Sequence, residues 1–192
     1  MPSFDYSAPQ FHVASRHGVS PDLLPGMFTS DRKAWGNDPH FLGWPAHLQR
    51  LHAAITEASA RLIAGLQVAL DEPEGSAQEL MGLTGMNRLG HDLVAHAHGH
   101  HAFEDSNVLP VFLSRFPSLS VAVDLLENDH EFLDQALDQS AALFFGALRG
   151  EGTTKMQIGK ALEQAKVVEK ILHRHTYDEE DILIPAVLRA YG

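Results

Sequence analysis

The sequence predicts an all-α protein, an up-down-up-down four-helix bundle with an irregular N-terminal arm. Three observations carry that expectation. Apolar residues recur at helical spacing from about residue 45 onward, Gly and Pro clusters cut that pattern into four long stretches, and Val and Ile never fall into the period-2 alternation of strands. Four long helices with short turns bury their stripes most simply as an antiparallel bundle.

Residues 1–38 read as an irregular arm packed on the bundle, and 39–192 as the bundle itself. The arm carries Pro2, Pro9, Pro21 and Pro25 and no 3.6-residue pattern, yet Phe4, Tyr6, Phe11, Leu23, Leu24, Met27 and Phe28 are too apolar for a free tail. A first helix is expected from Pro45, a residue suited to the first helical turn, to about Asp71, with Leu48, Leu51, Ile55, Leu62, Leu66 and Leu70 as its stripe. Glu72-Pro73-Glu74-Gly75 makes the turn. Ser76 with Glu79 has the spacing of a capping box and opens a second helix running to about Pro110. Ser118 caps a third, which Gly150-Glu151-Gly152 ends. The fourth starts near Thr153 or Thr154 and ends near Pro185 or Arg189.

Composition narrows the function. A net charge of −11, with 14 Lys and Arg against 25 Asp and Glu, leaves no basic surface for nucleic acid or an anionic membrane. With no cysteine there are no disulfides, thiolate metal sites or thiol nucleophiles. Neither a signal-peptide pattern nor a run of about 18 apolar residues is evident, so a cytoplasmic protein is expected. The 13 histidines stand out against this background and point to metal or proton chemistry.

Two segments repeat. His100 is followed by Glu104 at +4 and Pro110 at +10; His175 is followed by Glu179 and Pro185 at the same spacings. Residues four apart share a helix face about 6 Å apart along the axis, so each pair offers an imidazole and a carboxylate to one place. His47 on the first helix and His130 on the third occupy comparable apolar surroundings. In antiparallel helices of equal rise, residues sit at one height when the turn lies midway between them. The midpoint of 47 and 100 falls within Glu72–Gly75, that of 130 and 175 at Gly152–Thr153, and that of 104 and 130 at Pro117. His47, His100, Glu104, His130, His175 and Glu179 are therefore expected in one layer as metal ligands.

Four imidazoles and two carboxylates exceed the four ligands of a structural zinc site. They suit two metals bridged by carboxylates, and the mixed N/O donor set favours two iron ions, with manganese or zinc possible. His96, one turn before His100, is a further candidate. Glu127 and Asp134, one turn either side of His130, are candidate acceptors for its ring. His91, His98 and His101 share a stripe with Asp105 that is expected to face solvent.

These residues give the chain a resemblance to the hemerythrin-like (HHE cation-binding) domains, carried by His47, His100 to Pro110, His130 and His175 to Pro185, over roughly residues 40–190. The resemblance implies a non-heme di-iron centre with Glu104 and Glu179 as bridges and the four histidines as terminal ligands. The chain departs from the oxygen carriers in having Asp134 where they have a second histidine on the third helix. It also has glutamate at +4 and +5 after His175, where they have aspartate at +5. It is more similar to bacterial nitrosative-stress and iron-centre repair proteins and to the iron-sensing hemerythrin domain of an F-box protein. A protein that binds or senses dioxygen, nitric oxide, another small ligand or iron is expected. A di-iron enzyme of stress defence, reducing peroxide or nitric oxide, oxidising ferrous iron or repairing iron centres, is the competing reading, and a partner-binding module with a structural metal is a third.

Overall fold

The computed structural model describes residues 4–25, 31–73, 76–148 and 155–191, and among these it is helical without strands. The helices are α1 (Arg32–Trp35), α2 (Trp44–Asp71), α3 (Ser76–Thr84), α4 (Met86–Phe103), α5 (Leu109–Arg115), α6 (Ser120–Leu148) and α7 (Lys155–Tyr191). A π-helical turn, Glu104–Val108, joins α4 to α5, and 3-10 turns occupy Pro21–Leu23 and Pro117–Leu119.

The second expected helix is not one rod. Gly85 adopts φ 67°, a left-handed conformation that ends α3 and starts α4 at the one residue type for which it carries no steric cost. Further on, Pro110 has no N–H for the carbonyl four residues back. The wider π turn just before it accommodates that loss, and Leu109 N–H closes it by bonding to Glu104 O. The last helix, by contrast, runs straight through Pro185 to Tyr191 rather than stopping there. The expected break at Gly150-Glu151-Gly152, the helix start at Thr153 or Thr154, and the turn residues Glu74 and Gly75 lie outside the described residues, as do Met27 and Phe28.

The chain divides into two compact units. The first holds Met1–Ala53, Ala102–Glu131 and His173–Gly192; the second holds Ala54–His101 and Phe132–Leu172. The core of the first gathers Trp35, Leu48, Leu109, Phe112, Leu119, Leu125, Leu126, Ile182, Leu183 and Ile184, with Phe4, Tyr6 and Phe11 packed against it. The second buries Ile55, Leu62 and Leu66 of α2, Leu93 and Ala97 of α4, Leu133, Leu137 and Phe144 of α6, and Ile158, Leu162 and Ile171 of α7. Here a Cβ on Gly65 would meet the flexible Met86 side chain of α4, which would have to shift.

By length and composition α2 is long and apolar enough to cross a membrane, although no uninterrupted apolar run of about 18 residues was evident in the sequence. Leu48, Ile55, Leu62 and Leu66 are its buried apolar stripe, and 28% of its apolar window is buried within the protein.

Candidate metal centre

The candidate site is built from helical stripes at alternating four- and three-residue spacing. On α2 the buried series is Leu48, His52, Ile55, Ser59, Leu62 and Leu66; on α6 it is Leu126, His130, Leu133, Leu137, Ser140 and Phe144; on α7 it is Val168, Leu172, His175, Glu179, Ile182 and Ala186. Each polar member replaces an apolar residue on a core-facing stripe, so burial of its side chain follows from the helix alone.

His47 is a correction. Its side chain is exposed, one position off the stripe, and His52 takes the inward place. Pairing 47 with 100 at one height takes a tight turn between two helices, whereas α3 and Gly85 intervene between α2 and α4. His96 is exposed as well.

Within the first unit, ligand atoms of His52, Glu104 and Glu179 lie within 4.8 Å of one another. His52 Nε2 is 3.0 Å from Glu179 Oε2. His130 Nε2 is 3.7 Å from Glu104 Oε2, and His175 Nε2 is 3.8 Å from Glu179 Oε2. His130 and His175 bring their Nε2 atoms to 3.2 Å from each other. His100, expected in the same layer, belongs to the second unit, where it is buried one turn before Glu104 in the sequence.

Behind each of the three rings, His130, His175 and His52, stands a carboxylate. Asp105 Oδ1 is 2.6 Å from His130 Nδ1, Asp129 Oδ2 is 3.2 Å from His175 Nδ1, and Glu180 Oε1 is 2.9 Å from His52 Nδ1. Carboxylates in these positions fix the Nδ1–H tautomer and leave Nε2 as a donor atom directed inward. Glu127 and Asp134 are the expected acceptors for His130; the acceptor found at its Nδ1 is Asp105. Asp134 instead accepts from His101 at 2.8 Å and stands 3.1 Å from His98, all within the second unit. His101 is buried, contrary to its expected solvent-facing place. It extends the stripe of Val94 and Ala97 by one turn, a signal present in the sequence.

The electrostatics follow from burial of many acids together. Burial raises the Glu104 carboxyl pKa and the neighbouring Glu179 charge raises it further. Burial also pushes Glu179 upward, but His52, His175 and His130 outweigh it and hold the pKa below the usual carboxylate range. The two buried carboxylates are thus pushed in opposite directions, Glu104 up and Glu179 down. Burial lowers His52, yet Glu179 and Glu180 raise it to about 9. His130 is raised as well: burial opposes its charge, but Asp105 and the nearby acids prevail.

These residues fit a metal. With Nδ1 of both rings committed to carboxylates, the Nε2 lone pairs of His130 and His175 converge, an arrangement that needs a cation or a proton between them. A separation of 3.2 Å also suits two imidazoles on one ion at bonds of about 2.1 Å. Imidazole nitrogens facing buried carboxylates form the N/O donor set of iron, manganese or zinc.

No curated protein and no solved structure was found to match the chain. The family model of the hemerythrin HHE cation binding domain matches residues 46–187, which include His52, His100, Glu104, His130, His175 and Glu179. The chain belongs to the hemerythrin HHE cation-binding family.

Proposed function

We propose that this chain is a di-iron protein that binds or senses a small ligand, dioxygen or nitric oxide, or iron itself. The observation that carries the reading is the inward convergence of three carboxylate-backed imidazoles on the two buried carboxylates Glu104 and Glu179. His52, His130, His175, Glu104 and Glu179 would hold the metal, imidazoles and carboxylates together supplying its donor atoms. In this reading His52 replaces His47 in the ligand set expected from sequence.

Bound iron would supply redox and Lewis-acid chemistry at open coordination positions. Asp105, Asp129 and Glu180 would keep the imidazole tautomers that present Nε2 to that centre. The test is anaerobic loading with ferrous iron followed by exposure to dioxygen or nitric oxide. The expected result is a visible absorption band that forms in proportion to protein and fades when the gas is withdrawn. Many turnovers of peroxide or nitric oxide with a reductant would instead assign the chain to the enzymes, and no ferrous uptake together with no spectral response to either gas would overturn the reading.

A further inference from the structure

Residues 4–25 lie outside the segment that matches the family, yet they place a cation directly behind the donor residues. Arg16 is buried, its side chain only 1% exposed. Its Nε donates to Asp178 Oδ2 at 2.6 Å, and its Nη1 donates to Asp129 Oδ1 at 2.7 Å and to the Phe11 carbonyl at 2.7 Å. Its Nη2 donates to Asp129 Oδ2. Tyr6 adds a hydroxyl that donates to Asp129 Oδ1 at 2.8 Å. Asp129 is the residue whose Oδ2 meets His175 Nδ1, and Asp178 is the chain neighbour of Glu179.

We propose that Arg16 is a positioning residue for the metal donors, holding His175 through Asp129 and the Glu179 segment of α7 through Asp178. The proposal rests on His175 and Glu179 acting as donors. A guanidinium presents its N–H groups in a planar fork and so can join two carboxylates in one fixed geometry. With Asp129 held bidentately, its remaining acceptor direction is fixed, and so is the rotation of the His175 ring. Arg174 also grips Asp178, donating from Nε at 2.9 Å, and ties the arm down by donating to the His17 carbonyl at 2.8 Å. Arm docking and metal binding then favour each other, because a coupling between two sites is reciprocal.

The test compares the full-length wild type with Arg16→Ala, Arg16→Lys and Tyr6→Phe, using cobalt(II) alone as the probe. Affinity, the visible cobalt spectrum, and the thermal midpoint with and without cobalt are measured for each. Loss of a group that orients a ligand weakens metal binding by about 10- to 100-fold, which is the result expected for Arg16→Ala. Arg16→Lys should fall between it and wild type, since an ammonium is a point charge without the fork. Tyr6→Phe removes one hydrogen bond to Asp129 and should weaken binding by about threefold or more. The cobalt-induced rise in midpoint should shrink in the same order.

A merely structural Arg16 would lower the midpoints of free and loaded protein alike and leave affinity and spectrum unchanged, which would overturn the proposal. If Arg16→Ala does not fold, unchanged affinity in Arg16→Lys and Tyr6→Phe overturns it equally. Wild-type protein that takes up no cobalt would overturn the metal reading and this proposal with it, whereas normal wild-type uptake with unaltered variants defeats this proposal alone.

Discussion

His130 and His175 face each other through their Nε2 atoms at 3.2 Å, each with its Nδ1 against a different aspartate, Asp105 and Asp129. Neutral imidazoles so held would oppose two lone pairs, and the low-dielectric surroundings make that costly. A shared proton or a metal ion relieves it. Asp105 is the more exposed of the two aspartates, so it can be altered without opening the core. Asp105→Asn should keep the helical fold and weaken metal binding by about 10- to 100-fold, measured by competition with a chelator. An affinity equal to wild type would show that the His130 tautomer does not depend on Asp105.

His52→Ala should abolish part of the metal uptake, whereas His47→Ala should leave it unchanged. His52 is buried against Glu179 and Glu180, while His47 is exposed on the same helix. Metal content after desalting checks both. Loss in His47→Ala with full uptake in His52→Ala would reverse the assignment.

Glu104→Gln separates fold from chemistry. Burial and the Glu179 charge keep the Glu104 carboxyl protonated at neutral pH, so an amide of the same shape should leave the thermal midpoint of the metal-free protein nearly unchanged. The same substitution removes a bridging carboxylate and should reduce uptake to one ion or none. A large fall in the metal-free midpoint would show that Glu104 is ionised there.

The pH dependence has a definite sign. His52 is raised from 6.5 to about 9, so its charged form stabilises the metal-free protein fully below the ordinary value, and that stability is lost as pH rises through about 9. Glu104, raised by burial, costs stability as pH climbs above the ordinary carboxylate range. Both groups must release protons to bind a metal. Between about 6.5 and about 9 the metal-free protein should lose stability while metal affinity rises, with protons released on loading. Urea unfolding and proton release in weakly buffered solution measure the two trends; flat affinity across that window would contradict them.

Leu137→Ala provides the contrasting case. This fully buried side chain sits on the α6 stripe, two turns beyond His130. Its truncation should cost about 2–5 kcal/mol in urea unfolding through lost burial and a residual cavity, with metal stoichiometry unchanged in the folded protein.

Much of this was legible in the sequence. The matched His-x-x-x-Glu segments mark α4 and α7 because helical periodicity carries both residues to one face, and His130 falls on the series Leu126, Leu133 and Leu137 for the same reason. His52 is equally readable from Leu48, Ile55 and Leu62, whereas pairing 47 with 100 assumes a tight turn where α3 and the Gly85 break lie between α2 and α4. Asp105 was out of reach by spacing: the π turn widens the helix where Glu104 and Asp105 sit, and no 3.6-residue pattern anticipates it. Arg16 and Tyr6 could not be placed either, since their partners Asp129 and Asp178 are more than 100 residues away in a segment without periodicity.

The number of metal ions each chain retains after anaerobic loading with ferrous iron and removal of excess tests the central claim most directly. Two per chain is expected from two buried carboxylates with imidazoles on both sides. A stoichiometry of zero, or a single ion unaffected by His130→Ala or His175→Ala, would contradict it.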